Sequence, residues 1–529
     1  MRIELTYQKG FKWVSQDGVS VKGYLFDQKN KFYKDKDLIS YFSDVRSEED
    51  FRERLEFSNG FFSVLIKKDE VVYAAVDCIR SQPLFYSKNE SWIGDNPDVF
   101  AKKNGFQQDD SAFKEFRCTG YVAGQETLYS EIVQLQSGEY LVWKKGEVPQ
   151  TMSYYQYLHK DFMHYTDEQS FPSLEKCINN AVNRLITYAN GRQLVVPLSG
   201  GYDSRLIVLK LKALGYDNVL CFSYGRPNNK ESQVSKFVAD YLGYKWIFID
   251  YELIVNDLYF SETLKNYDMY AHRSVSLPHN QDFFAVSYMK AHNMIQTEAV
   301  FVPGHSADFL AGSHLTSLEL KNEAVSDDQI FYNILKKHYT LFKLNSSDKD
   351  RFCKKLENLS PSQPNNGDSS SLLDHWNWRE RQSKFIVNSC RVYEFFEYDW
   401  VCPLWDKEVV EFFRTLPMSY RREKWFYNQY VNDLDDNLFH LLDQQFGDVS
   451  RKSILKSALK TMLQKPCFFF VEELVRVFHL YFFAFPKYFL CIEKNLSFYR
   501  CLKIVFLGYR QFNGIETYFF LKRQVVDYR

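Results

Sequence analysis

The chain has 529 residues, 45% hydrophobic and 25% charged, a balance that suits large buried cores in several domains and excludes a disordered or fibrous protein. Lys plus Arg number 66 against 67 Asp plus Glu, a formal charge of −1, which excludes a chain-wide coat for a polyanion. Aromatic residues reach 18%, pointing to thick cores or adhesive faces without naming a reaction.

The first 150 residues read mostly as strands. Phe61–Ile66 and Val71–Val76 flank the polar turn Lys67-Lys68-Asp69-Glu70, the pattern of an antiparallel hairpin. Gly138–Trp143, followed by Lys144-Lys145-Gly146, suggests a second pair, and the polar stretch from about His159 to Ser170 reads as a connection. The period changes from Gln193 onward. Leu194-Val195-Val196-Pro197-Leu198 is a continuous apolar run of the kind a buried parallel strand requires. A Ser-Gly-Gly turn leads into a helix over Ser204–Leu214, which Gly215 is placed to stop. Val219–Tyr224 reads as a second strand, Glu231–Leu242 as a second helix closed by Gly243, and Trp246–Asp250 as a third strand. The result is a βαβαβ run, hence a parallel sheet with right-handed crossovers.

Helical patterns dominate further on, interrupted by the Pro/Asn/Ser stretch Ser360–Ser371. The end of the chain is electrostatically distinct. From Arg451 to Arg529 there are fourteen Lys/Arg and five Asp/Glu, leaving 52 basic and 62 acidic residues before it. Cys467–Leu490 has the length of a membrane span, but Glu472, Glu473, Arg476, His479 and Lys487 interrupt it, and it is not expected to cross a bilayer.

The ten cysteines are too sparse for a disulfide scaffold, and no two are separated by only two residues, so neither a zinc knuckle nor a redox dithiol is indicated. Most, like Cys221, read as small buried hydrophobes. Met1–Thr6 carries no apolar signal core. A reducing cytoplasm is the expected compartment, and the Asn-x-Ser triplets at Asn89, Asn345, Asn358 and Asn495 are read as chance.

Chemistry is concentrated in Ser199-Gly200-Gly201-Tyr202-Asp203-Ser204, between a buried strand and a helix. Glycines let backbone amides approach a ligand, the helix aims its positive end at the same place, and serines add donors. A carboxylate at Asp203 in such an anion site makes sense if it holds Mg²⁺ bridging phosphates. The Gly-Lys-Ser/Thr phosphate loop is absent, so this is a different kind of cradle; the plain alternative is an ordinary glycine-rich turn.

Val196–Arg205, VPLSGGYDSR, resembles the pyrophosphate loop of the asparagine synthetase family, one of the N-type ATP pyrophosphatases. Asp77–Tyr86 resembles that family's Asp-x-x-Gly-x-Lys-Pro-Leu-Tyr-Tyr segment, and Thr127-Leu128-Tyr129 with Ile132, Leu135, Gly138 and Tyr140–Trp143 is similar to a later strand of its first domain. Phe222-Ser223-Tyr224-Gly225 and Glu231 resemble its adenine-binding strand and helix, and Gly304–Gly312 is similar to Gly-Glu-Gly-Ala-Asp-Glu-Leu-Phe-Gly. Val401–Asp406 resembles its Val-Pro-Phe-Leu-Asp segment, with Lys424 where the family places a lysine.

The resemblance implies an N-terminal Ntn-hydrolase-like antiparallel sandwich of α+β type over residues 1–160. After it come an α/β parallel-sheet ATP pyrophosphatase domain over 170–445 and a helical, basic, aromatic extension over 446–529. It implies ATP and Mg²⁺ as cofactors, with the nucleotide on Pro197, Leu198, Ser199, Gly200, Gly201, Asp203, Ser204, Tyr224, Pro303 and Gly304 and the metal on Asp203 and Asp308. Lys424 matches the lysine that neutralises charge on the α-phosphate and the tetrahedral intermediate; a solvated lysine after Arg421, Arg422 and Glu423 is the bland reading.

Two departures stand out. The family's glutaminase domain uses an N-terminal cysteine, whereas residue 2 is Arg and the first cysteine is Cys78. The first unit is therefore expected not to hydrolyse glutamine and to serve as a scaffold or recognition unit. His305 stands where the family has Glu; it can act as a general base near neutral pH, or only order its loop. Arg205 can reach a phosphate or face away.

The implied activity is ATP-dependent amide-bond formation through an acyl-adenylate. The expected partners are a small-molecule or glycan carboxylate and an amine or ammonia, with no nucleic acid. The alternatives are asparagine synthesis from aspartate and free ammonia, and a non-catalytic nucleotide-binding homologue. The basic aromatic tail suggests peripheral contact with an anionic membrane, or a core-packing helical appendix.

Overall fold

A computed structural model describes residues 1–163, 167–259, 261–315, 325–361, 370–447, 474, 476–478, 480–481 and 497–524. The expected hairpin is present. Asn59–Lys68 (β5) pairs antiparallel with Val71–Val76 (β6), and β6 with Glu139–Lys144 (β10), which also pairs with Gln150–Ser153 (β11). Val19–Phe26 extends the sheet on the other side of β5.

The period-2 alternation of β5 is used on both faces. Phe62, Val64 and Ile66 pack with Leu38, Phe42, Phe51 and Leu55 of two helices, whereas Leu65 faces Leu84, Tyr86 and Ile93 around a second, four-stranded sheet. Those two helices, Asp35–Ser43 and Glu48–Phe57, together with Pro97–Asn104 and Asp110–Thr119, add helix to a region in which strands still predominate. Their apolar residues are few and widely spaced, so local pattern underweights them. The expected connection is also shorter than read, since the long helix Asp167–Ala189 begins inside it.

The second sheet system matches the βαβαβ expectation closely. Leu194–Pro197 (β12), Val219–Gly225 (β13) and Lys245–Asp250 (β14) are parallel, with helices Tyr202–Ala213 and Lys230–Leu242 between them. Leu194, Val195 and Val196 are wholly buried, as a strand covered on both faces must be. Val300–Phe301 (β15) and Asp399–Trp400 (β16) complete a five-stranded parallel sheet of order β14-β13-β12-β15-β16.

Buried polar contacts join the two sheet systems. Arg184 reaches Asp406 (Nε–Oδ2 2.7 Å) and Asn30 (2.6 Å), Gln82 donates to Glu394 (2.9 Å), and the Trp378 indole donates to the Cys78 carbonyl (2.8 Å). The described end of the chain, helices Phe498–Phe506 and Gln511–Gln524, packs into the body: Ile504, Val505, Ile515 and Phe520 are buried, and Arg523 pairs with Asp268 at 2.7 Å. Nearly all of Cys467–Leu490 and most of Ser360–Ser371 fall outside the described residues. Among the described residues no helix is long and apolar enough to cross a membrane.

Candidate functional site

Strand order dictates where a ligand can sit. From β12 the chain steps outward to β13 and β14, then returns to the other side of β12 as β15. The loops leaving β12 and β15 therefore part company at the carboxyl ends of adjacent strands, the crevice in which open α/β sheets bind ligands. Those loops are Leu198–Gly201 and Val302–Ser306.

The first loop holds its shape through its own serines. Ser199 N–H donates to Ser204 Oγ (3.1 Å), Gly201 N–H donates to Ser199 Oγ (3.1 Å), and the two hydroxyls lie 3.2 Å apart. Ser199 and Gly201 are exposed and Gly200 half-buried, so the turn opens to solvent at the start of the Tyr202–Ala213 helix. Arg205 settles its open alternatives by facing away from the mouth. Its guanidinium donates to the carbonyls of Gly201 (3.0 Å) and Gly200 (3.2 Å) and lies over the rings of Tyr202 and Phe439. Carbonyls drawn to the back leave the Gly200 amide and the helix end toward the mouth, where an anion could meet them.

The second loop touches the first. A Cβ on Gly304 would stand 2.7 Å from Ser204 N and 2.9 Å from its Cα, closer than any side chain tolerates, so only glycine lets the loops meet here. Ser306 follows with φ 80°, and Asp308 N–H then donates to Asp203 Oδ2 at 3.2 Å. The backbone of Asp308 thus meets the carboxylate of Asp203 from 105 positions away, and the charge of the Asp308 carboxylate is felt at Asp203. Asp203 also accepts from Tyr427 Oη (2.9 Å), and Asp308 from Ser313 Oγ (3.0 Å).

Burial first, and the Asp308 charge second, push the Asp203 carboxyl up to about 7, against the opposing pull of Tyr427, the Asp308 amide and Lys424. Two adjoining acids whose repulsion is this poorly compensated suit a divalent cation that also meets phosphate oxygens. Among the described residues no third His, Cys, Asp or Glu completes an all-protein cage, and magnesium shared with substrate phosphates needs none.

Lys424 joins this pair through its charge on Asp203. It follows Glu423 in the left-handed region (φ 61° and 53°) and starts the helix Trp425–Asn432, which carries Tyr427 one turn on. Two consecutive left-handed non-glycine residues cost ~1–3 kcal/mol each and are held only by their surroundings. Gly312 contributes, since a Cβ there would meet the Arg421 carbonyl at 2.7 Å. Arg421 is itself buried and anchored on Asp374 at 2.7 Å.

His305 lies half-buried on the same loop, with Nε2 2.9 Å from Ser389 Oγ. Burial opposes its charge, but Cys390, then Asp282 and Asp203, outweigh burial and hold the imidazole above its ordinary value. The Cys390 thiol is correspondingly held down: burial opposes its ionisation, but Cys402 (Sγ–Sγ 3.9 Å), then His305 and Arg391, favour it. Tyr224, at the end of β13, stacks on Tyr251 (4.8 Å) and donates to Asp282 Oδ1 (2.5 Å), while Tyr393 donates to Oδ2 (2.5 Å). Leu198 and Pro303 are buried behind the loops, and Pro197 ends β12.

Sequence reasoning passed over Tyr427, Ser313, Asp282 and Ser389. Tyr427 alone had a local signal, sitting three residues after Lys424 on a helix that had to face the site.

In the first unit, Asn59 is committed to Asp406 and to the Lys407 amide, and Asp77 accepts from the amides of Phe62, Ile79 and Ser81. Burial pushes the thiols of Cys78 and Cys118, the two cysteines of residues 1–160, up to about 12. Neither is a thiolate nucleophile at neutral pH.

Comparison with known proteins places these features. A probable asparagine synthetase (glutamine-hydrolyzing) of Acanthamoeba polyphaga mimivirus is 30% identical over 177 residues, covering 31% of this chain and 30% of that protein. The match therefore spans under a third of that relative's length. Among solved structures, the NH3-dependent NAD synthetase from Campylobacter jejuni subsp. jejuni NCTC 11168 aligns at 12% identity and a TM-score of 0.20, covering 42% of this chain and 96% of that one. NMN synthetase from Francisella tularensis aligns at 14% and 0.20, covering 41% and 95%; at such scores neither likeness carries weight. The family model for asparagine synthase matches residues 173–468, more than half of the chain and the stretch that holds both loops, the acid pair and Lys424, and the chain belongs to the asparagine synthase family.

Proposed function

We propose that the protein is an ATP-dependent amide-forming ligase that activates a carboxylate as an acyl-adenylate, releases pyrophosphate, and passes the acyl group to ammonia or a substrate amine. The observation that carries this reading is the Asp308 amide on the Asp203 carboxylate, with the Asp308 charge felt there, beside an open turn at a helix N-terminus. Mg²⁺ held by these two carboxylates would neutralise the phosphate chain and orient it.

The remaining steps fall to the chain's own groups. The Gly200 amide, the serine hydroxyls and the amides of the helix end offer the donors for the departing diphosphate. Lys424 offers a fixed cation for charge building on the α-phosphate, worth several kcal/mol where water is excluded. His305, held by Ser389, stands ready to take the proton of the incoming nitrogen. Because neighbouring acids and Cys390 raise its imidazole, it loses its proton above the usual histidine range, so nitrogen attack should speed up as pH rises through that value. The first unit supplies no thiolate from Cys78 or Cys118, which favours free ammonia or an amine over glutamine.

Mg²⁺-dependent ATP–pyrophosphate exchange, screened over carboxylic acids, tests this. Exchange with at least one acid, lost in Asp203→Asn, is the expected result; exchange that survives Asp203→Asn refutes the assignment. Peripheral binding to anionic membranes through the basic C-terminal region stays a separate proposal resting on its composition, and the absence of salt-sensitive co-sedimentation with phosphatidylglycerol vesicles would dispose of it.

A further inference from the structure

Cys390 and Cys402 form a thiol pair that the steps above leave unused. Their sulfurs lie 3.9 Å apart, and the two residues are 0% and 1% exposed. Both are firmly seated. Cys390 closes the 3-10 helix Val387–Cys390, in which Asn388 donates to the Ala271 carbonyl at 3.1 Å. Cys402 comes just after β16, and the Val401 amide before it donates to the Phe301 carbonyl of β15 at 2.9 Å. A disulfide holds its sulfurs at about 2 Å, so roughly 2 Å remain to be closed.

The other described cysteines behave as small buried hydrophobes. Burial pushes the thiols of Cys78, Cys118, Cys221 and Cys501 up to about 12, that of Cys177 up to about 11, and raises that of Cys353 as well. Cys390 is buried as deeply, yet Cys402, His305 and Arg391 outweigh burial and hold its thiol down. Cys402 moves the opposite way, raised by burial and then by Cys390. The pair thus keeps a thiolate beside a thiol, the arrangement in which a nucleophilic sulfur stands next to the one that resolves its oxidised form.

Access and coupling come from two sides. A cavity of about 20 Å³ at the junction of the two sheet systems is lined by Tyr24, Asn59, Arg184, Cys402 and Asp406, room for one molecule of about the size of water. A peroxide is of that order; a tripeptide disulfide is not. On the other side Ser389, the residue before Cys390, meets His305 Nε2 at 2.9 Å, so the pair adjoins the loop that carries Gly304 and Asp308.

We infer that Cys390 and Cys402 are an oxidation site: hydrogen peroxide converts them to an intramolecular disulfide, and closing the pair disturbs the seat of Ser389 and slows the neighbouring site. The thiolate sulfur attacks one peroxide oxygen and the O–O bond breaks, giving a sulfenic acid and hydroxide. The hydroxide takes the proton of the second thiol and leaves as water. The second sulfur, now a thiolate, displaces hydroxide from the sulfenic acid as the S–S bond forms; that hydroxide takes up the proton released when the pair first ionised. Two thiols and one peroxide give one disulfide and two waters, and the two electrons lost by sulfur are those the peroxide gains. The disulfide does not depend on the ligase reading; its effect on turnover does.

The experiment treats the fully reduced, full-length protein with hydrogen peroxide, quenches it with an alkylating agent in denaturant, and maps the peptides without reduction. The expected product is a peptide pair joined through Cys390 and Cys402, with the other eight of the ten cysteines alkylated and full reversal by dithiothreitol. Cys390→Ser should slow the loss of thiols about tenfold or more, and Cys402→Ser should stop at a sulfenic acid on Cys390 that dimedone traps. Oxidised glutathione at the same concentration should leave the pair reduced. The oxidised protein should run ATP–pyrophosphate exchange several-fold slower, with the rate restored by dithiothreitol. Peroxide that oxidises other cysteines first, a pair that stays reduced, a Cys390→Ser protein oxidised at the wild-type rate, or a pair closed by glutathione would each overturn the site. A disulfide that leaves exchange at the reduced protein's rate would overturn its effect on the neighbouring loop. A disulfide in a protein that exchanges with no acid at all would support the site and count against the ligase reading instead.

Discussion

Asp203 is a carboxylate that the folded protein tolerates poorly once it is charged, and this has a measurable consequence for stability. The carboxyl sits at about 7 in the native protein against an ordinary value of 3.8. The native state therefore keeps a proton that the unfolded chain gives up, and stability falls as pH rises across that window, by ~1.4 kcal/mol per pH unit. The accumulated cost is on the order of 1–2 kcal/mol at pH 5 and levels off at roughly 4 kcal/mol above pH 7. Asp203→Asn removes the titrating charge; its one amide oxygen can accept from the Asp308 amide while its NH2 donates to Tyr427 Oη, which can turn from donor to acceptor. Urea unfolding in EDTA at pH 5 and pH 8 should show the variant more stable than wild type at both, with the gap widening by ~2 kcal/mol at the higher pH. Mg²⁺ with pyrophosphate should then stabilise wild type and leave Asp203→Asn unmoved. A gap that does not grow between the two pH values, or equal stabilisation of both proteins by the added ligands, would refute the reasoning.

Three further outcomes follow from the geometry. Gly304→Ala drives a methyl group into the backbone of Ser204; displacement of the loop by even an ångström should cost ~100-fold in exchange rate, with the far-ultraviolet circular dichroism spectrum unchanged. Lys424→Met should lower the exchange kcat by ~10²–10³-fold with the ATP half-saturation altered only a few-fold, whereas a larger effect on ATP binding would make it a ground-state contact. Ile504, 1% exposed on the described C-terminal helix, should cost ~2–5 kcal/mol when cut to alanine; thermal unfolding that is indifferent to Ile504→Ala would show that this region is not part of the core.

The parts of the molecule that could be read from the sequence are those in which one local rule acts alone. The run Leu194–Val196 declares a strand buried on both faces, the polar turn after Ile66 declares a hairpin, and Gly243 closes its helix with φ 73°. The Ser199–Ser204 turn is legible as a candidate anion site because its glycines and serines are contiguous and bond to one another, although the Arg205 brace behind it was not. What stayed hidden depends on distant packing. No local pattern says that β15 returns to the side of β12 opposite β13, yet that one step is what sets Asp308 against Asp203. The helices at Asp35–Ser43 and Glu48–Phe57 earn their place by covering a sheet, not by propensity. The π-helix at Asn377–Ile386 and the left-handed pair Glu423–Lys424 are imposed by neighbours and run against local preference.

Arg205 has a consequence for anyone who would move this turn elsewhere. Its guanidinium buttresses the turn from the rear and rests against two rings, one of which belongs to a helix more than two hundred positions away. A six-residue graft onto another strand–helix junction would carry the spelling but not the brace. It would have to order itself anew each time an anion arrived, and a faithful transplant must bring Arg205 together with a counterpart of Phe439.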